Sequence, residues 1–147
     1  MTDAESLPGT AREMMQRDRA SAALGMVVER DDPGHATVSM RVREDMLNGF
    51  TITHGGIVFA LADTAFAIAC NEDEAVTVAA GADITFTKST VVGQILTAHA
   101  SRRTRAGRTG IYDVTVTDET GDVVAEFRGR SITTRRRIEP AGEMAWA

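Results

Sequence analysis

The chain has 147 residues, 43% of them hydrophobic, with one cysteine and 16 Lys+Arg against 21 Asp+Glu for a net charge of -5. That length fits one domain with a sizeable core, and the acidic balance excludes general binding of nucleic acid or anionic membrane surfaces. A lone Cys70 excludes an intrachain disulfide, and the longest unbroken apolar run, Ile57 to Ala62, is far too short to span a membrane, so a soluble, cytoplasmic protein is expected.

Along the chain, Thr10-Ala11-Arg12-Glu13 predicts a capping box that opens an amphipathic helix through about Ala22, with Gly25 as its stop. Met26 to Arg30 predicts a strand and Asp31-Asp32-Pro33-Gly34 a turn. Ala36, Val38, Met40 and Val42 then alternate with polar residues as a second strand, giving a hairpin. A loop from Arg43 to Thr53 carries Met46-Leu47-Asn48-Gly49, an apolar pair next to an amide, and leads to His54-Gly55-Gly56.

From Ile57 to Cys70 only Asp63 and Thr64 are polar, so a helix here has no hydrophilic face and must be enclosed by protein. Asn71 to Glu74 reads as a solvated turn, followed by a strand from Ala75 to Thr87. Strands from Ile95 to about Arg103, from Thr109 to Val116 and from Val123 to about Thr133 form a meander joined by Thr104–Arg108 and Asp118–Asp122. The tail from Arg135 has no period and is expected to fray. The organisation expected is a leader and helix over 1–23, one domain over 24–134 and a tail over 135–147. About six strands around one enclosed helix make an α+β, hotdog-type arrangement, whose sheet edges and incompletely covered face call for a second copy.

Two features of the enclosed helix point to chemistry. A carboxylate at Asp63 is costly when ionised unless paired, and desolvation pushes its pKa upward. Glycines at 55 and 56 leave the first turn bare, so a ligand oxygen can approach backbone N–H groups at the positive end of the helix. The alternative is a satisfied core carboxylate and glycines that only let the loop turn.

Taken together, Met46-Leu47-Asn48-Gly49, His54-Gly55-Gly56, Leu61–Ala67, Ala69-Cys70-Asn71, Thr109–Val114 and Phe127-Arg128-Gly129 resemble the PaaI-type hotdog thioesterases, the hydroxyphenylacetyl-CoA thioesterases of phenylacetate degradation. The resemblance runs from about Ala20 to Ile132. It implies hydrolysis of an aryl-acetyl-CoA or short- to medium-chain acyl-CoA, with Asp63 as nucleophile or general base, the Gly55 N–H polarising the carbonyl, and Asn48 and His54 orienting carbonyl or water. Gly56, Met46, Leu47, Thr64, Lys88, Arg102 and Arg108 complete the expected substrate-binding set. The chain departs from its relatives at Lys88-Ser89-Thr90, where many have a proline turn, and at Val78-Ala79-Ala80, where some have a serine.

Gly55 and Asp63 are eight residues apart, about 12 Å along one helix axis, so a single subunit cannot bring both to one carbonyl. A dimer with antiparallel helices is therefore the expected catalytic unit, with a tetramer as a dimer of dimers. No cofactor is expected, nor a metal site, since His35, His54 and His99 lack ligand spacing. Other readings are a hotdog hydratase or dehydratase, and an acyl-CoA-sensing module that would not need Asp63.

Overall fold

A computed structural model of the chain describes residues 9–138. The elements are α1 (Gly9–Arg17), α2 (Arg19–Ala23), β1 (Val27–Asp32), β2 (His35–Arg41), a 3-10 turn at Glu44–Met46, α3 (Gly55–Cys70), β3 (Ala75–Phe86), β4 (Ile95–Ala106), β5 (Thr109–Thr117) and β6 (Val123–Arg137). The strands make one six-stranded antiparallel sheet in the order β1-β2-β4-β5-β6-β3, leaving β1 and β3 as its edges. The hairpin and the three-strand meander form, with longer strands than predicted: β1 runs on through Asp31 and Asp32, leaving the turn to Pro33-Gly34, and β4 runs on to Ala106.

Helix α3 lies across the inner face of this sheet. Its residues Val58, Leu61, Ala62, Ala65, Phe66, Ile68, Ala69 and Cys70 are buried, against Val38 and Met40 of β2, Leu96 and Ala98 of β4, and Tyr112, Val114 and Val116 of β5. Alanines on the contact face let the helix axis come close to the strands. Of the two phenylalanine rings on α3, the fully buried Phe66 is accommodated by a glycine: a Cβ at Gly129 would stand 2.7 Å from the Phe66 ring, which also meets Tyr112 and Phe127 at centroid distances of 5.7 and 5.8 Å. This fit sets the height and rotation of α3, and with them the direction of Asp63.

Four local expectations differ from the structure. The N-terminal helix is two helices, because Asp18 takes an extended conformation (ψ 93°) and caps α2, its carboxylate accepting from Ser21 N–H at 2.8 Å. Thr10 makes no capping box; its hydroxyl donates to the Glu74 carbonyl at 3.0 Å and ties α1 to the start of β3. The segment after α3 is solvated only in its second half, at Asp73 and Glu74. Buried Asn71 donates to the Ala67 and Thr77 carbonyls at 2.7 and 3.1 Å and accepts from Thr77 N–H at 2.9 Å, while the Glu72 side chain, 5% exposed, accepts from Tyr112 and pairs with Arg102. Finally, β6 continues through Arg135 and Arg136 to Arg137, which pairs with Ala75, because β3 extends that far and Glu74 meets Arg137 at 2.6 Å. Residues 139–147 of the expected tail, and residues 1–8 of the leader, lie outside the described residues.

Candidate active site

The loop before α3 is closed by its own polar groups. Asn48 Oδ1 accepts from Phe50 N–H at 2.8 Å, Leu47 bridges to Thr53, and Thr51 takes a positive φ of 65° at the tip. Thr53 is held to the Thr90 carbonyl by its N–H at 2.9 Å, so the loop is anchored to the segment after β3. His54 N–H donates to the Met46 carbonyl at 2.8 Å, and His54 then serves as the N-cap, its Nδ1 accepting from Gly56 N–H at 3.0 Å.

These bonds sort the first-turn donors of α3. Gly56 is taken by the imidazole, and Ile57 and Val58 donate to the His54 carbonyl at 2.9 and 3.2 Å. Among the described residues, Gly55 N–H has no protein acceptor, and it sits at the positive end of a 16-residue helix. It borders a cavity of about 410 Å³ lined by Asn48, Thr53, Val58, Phe86 and Lys88.

Asp63 opens onto a different cavity. This one, of about 240 Å³, is walled by Met14, Phe66, Cys70, Val76, Val78 and Ala79 and is almost wholly apolar. The carboxylate makes no hydrogen bond or ion pair among the described residues, and burial, reinforced by the negative charge of Asp18, raises its pKa above the ordinary value. The same cavity holds Cys70, whose thiol burial pushes up to about 12, so it stays neutral and unreactive.

The two cavities therefore lie at different places along α3, one with the donor and one with the carboxylate. Strand β3 links them in reverse order: its beginning, Val76 to Ala79, walls the Asp63 cavity, and its end, Phe86, packs over Gly55, where a Cβ would approach the ring to 3.2 Å. So β3 runs antiparallel to α3, with its outer edge unpaired.

The remaining expected residues distribute as follows. Asn48, His54, Gly55, Gly56, Leu47 and Lys88 gather near the start of α3, but Lys88 is held by Asp118 and Asp122 at 2.6 and 2.8 Å. Met46 is a fully buried core residue, and Thr64 is buried against Ser21. Arg102 is paired with Glu72 beyond the far end of α3, and Arg108 is an exposed residue of the β4–β5 turn. The arginines around that turn are thus only partly available for phosphate.

A family model described as the Thioesterase superfamily matches residues 50–125, a segment that begins in the Asn48 loop and includes all of α3. The chain belongs to the thioesterase superfamily. As a member it is a thioester hydrolase, and its likeness to individual members is close. It is 41% identical over 121 residues to the acyl-coenzyme A thioesterase PaaI of Escherichia coli K12, covering 82% of this chain and 86% of that protein. The structure of E. coli PaaI, from the phenylacetic acid degradation operon, superposes with a TM-score of 0.85 at 39% identity, covering 88% of this chain and 94% of that one. A variant of the phenylacetic acid degradation protein PaaI of Thermus thermophilus gives a TM-score of 0.75 at 36% identity, over 78% and 98% of the two chains. A Streptococcus mutans protein bound to acetyl CoA gives 0.73 at 25% identity, over 77% and 91%.

The structure adds to this thioesterase residues that the sequence does not single out. Met14 and Thr10 of α1 reach the Asp63 cavity, and Asp18 and Ser21 approach α3 at Thr64. A signal for the last pair exists, since Asp18-Arg19-Ala20-Ser21 has the form of an N-cap and its third-following donor.

Proposed function

We propose that this protein hydrolyses acyl-CoA thioesters to the free acid and CoA, in a site that two subunits build together. The observation that carries the reading is the separation of an unpaired, desolvated carboxylate and a free helix-start N–H on one apolar helix. An aryl-acetyl or short- to medium-chain acyl group is favoured by the volume and apolar walls of the Asp63 cavity and by the likeness to E. coli PaaI. The reaction is taken to be cytoplasmic, because its substrate is a CoA ester.

The dimer follows from the unpaired edge of β3. A two-fold axis that pairs β3 with a partner β3 antiparallel sets the two α3 helices side by side and antiparallel. The start of each β3 then meets the end of the other, and Asp63 of one subunit faces Gly55 of its partner. A long, mostly apolar edge strand is costly to leave open, which supports the same contact. A tetramer as a dimer of these dimers would use the outer sheet face.

In such a site the thioester carbonyl oxygen accepts from Gly55 N–H, which stabilises the negative charge that develops as the carbonyl is attacked. His54 keeps that donor free by occupying Gly56, and Asn48 stands in the same cavity to orient carbonyl or water. Asp63 either takes a proton from the attacking water and returns it to the CoA thiolate as the C–S bond breaks, or attacks the carbonyl carbon itself, in which case the CoA thiolate leaves and a water then hydrolyses the acyl–Asp63 anhydride to the free acid, its proton going to the thiolate. Gly56, Leu47 and Thr64 shape the approach, and Lys88 and Arg108, with Arg102 in part, are candidates for the CoA phosphates.

A panel of acyl-CoAs from acetyl through phenylacetyl to long-chain, assayed for free thiol, tests the reading. Release of CoA with a preference for aryl-acetyl or medium chains is expected without added metal. No release from any of them would overturn it.

A further inference from the structure

The N-terminal helix pair reaches α3 through one polar chain. Asp18 Oδ1 accepts from Ser21 N–H at 2.8 Å, and its Oδ2 accepts from Ser21 Oγ at 2.7 Å. Ser21 Oγ has given its only proton to that carboxylate, so in its buried contact with Thr64 Oγ1 at 2.9 Å it accepts, and Thr64 donates. Three side chains thus form a hydrogen-bond chain of fixed polarity that runs from Thr64, the residue after Asp63, to the Asp18 carboxylate.

We infer that Asp18 is a positioning residue for Asp63: through Ser21 Oγ it holds Thr64 Oγ1, and with it the turn of α3 that carries Asp63, and it places its own charge two hydrogen bonds from that turn. The inference rests on Asp63 acting in catalysis as proposed above. Within its own subunit the other groups around Asp63 do not supply such a charge, and the partner's His54 and the partner's Lys88, near the Gly55 that Asp63 faces in the proposed dimer, are the same in the wild type and in Asp18 variants and so drop out of a comparison between them. On α3 itself the titratable neighbour is Cys70, neutral through burial, and Glu72 and Arg105 bear on that thiol from beyond the helix end. Strand β3 contributes Val76 to Ala79 and α1 contributes Thr10 and Met14, all uncharged. The charged groups of α1 are engaged elsewhere, Glu13 with Arg17 at 3.6 Å and Arg12 on the side that faces Asp31. Among the described residues of one subunit that leaves the Asp18 carboxylate as the charge that bears on Asp63, adding to the larger effect of burial, which raises its pKa in the same direction. A more basic carboxylate accepts a proton more readily from water, so rate and pH dependence should both carry the mark of Asp18.

The test is the pH profile of kcat/KM with phenylacetyl-CoA for the wild type, Asp18→Asn and Asp18→Ser. Both substitutions keep an N-cap acceptor for Ser21 N–H while removing the charge. Relative to wild type, the acid limb should move to lower pH in both variants, plateau kcat should fall about threefold and KM should stay within about twofold. A structural role alone would lower thermal stability without moving the limb. An unmoved limb in either folded variant, or no acid limb in the wild type, would overturn the inference. Asp63→Ala distinguishes the two levels: if it still turns over, the catalytic reading fails, whereas if it is inactive and the Asp18 limb is unmoved, only the role of Asp18 fails.

Discussion

His54 Nδ1 accepts the Gly56 N–H at 3.0 Å, and through that bond the imidazole decides that Gly55, and not Gly56, offers the open donor at the start of α3. His54→Ala should cost about 1 kcal/mol of stability through the lost cap and reduce kcat about tenfold through a looser first turn. His54→Asn should restore the melting temperature. A kcat in His54→Ala equal to wild type would remove the residue from the site.

The separation of Gly55 and Asp63 gives the strongest test of shared sites. Asp63→Ala should lower kcat by at least about two orders of magnitude with a smaller change in KM. Gly55→Pro removes the proposed donor, and His54 already has the extended backbone (φ -60°, ψ 132°) that a following proline requires. Each variant alone should be inactive. Unfolded and refolded together, about half the dimers are mixed, each with one intact site, so roughly a quarter of wild-type activity should return. Verified mixed dimers without activity would show that Asp63 does not act with the partner's donor.

Asp31 is buried between β1 and α1 with one carboxylate oxygen unpartnered, and burial, with Asp32 beside it, raises its pKa to about 6. The folded state therefore holds this proton more tightly than the unfolded chain. The associated stability is fully present below the unfolded value of 3.8 and is lost as pH rises to about 6, a change on the order of 3 kcal/mol. Asp63, displaced in the same direction, adds to the slope. Asp31→Asn should raise the melting temperature at pH 8 and leave it nearly unchanged at pH 4. An equal effect at both pH values would refute the assignment.

Gly129→Ala should be costly although it adds one methyl group. Its Cβ would meet the Phe66 ring at 2.7 Å, and that ring is wedged between Tyr112 and Phe127. A loss of about 1–3 kcal/mol is expected, with reduced activity because α3 must shift. Denaturant unfolding measures the first; a midpoint within error of wild type would show that α3 is not seated on this glycine.

Charge reversal separates the two arginines expected to meet phosphate. Arg102→Glu should destabilise the fold, since the Glu72 side chain is 5% exposed and would face a like charge. Arg108→Glu should leave stability unchanged and raise KM for acyl-CoA more than for acyl-pantetheine. Equal KM changes for both substrates would move the nucleotide site away from Arg108.

The sequence by itself determined the enclosed helix, the hairpin, the meander and the pair Gly55 and Asp63, because each rests on local signals: an apolar run with one carboxylate, period-two alternation, and turn residues at loop positions. It also determined that one subunit cannot unite Gly55 and Asp63, since helix rise is fixed per residue. What it could not carry are facts that depend on distant segments meeting. Arg102 and Lys88 read as cations for the substrate and Glu72 as part of a solvated turn, and only the fold brings Glu72 under Tyr112 and Arg102 and Lys88 between Asp118 and Asp122. Arg135 to Arg137 has no intrinsic strand signal and becomes one because β3 lies beside it. Asp18 falls inside the single helix predicted through Ala22, and its link to Thr64 through Ser21, 43 residues away in sequence, exists only once α2 is packed on α3. Local propensity is written in neighbouring residues, whereas the pairing and desolvation of charge are set by which surfaces the folded chain buries together.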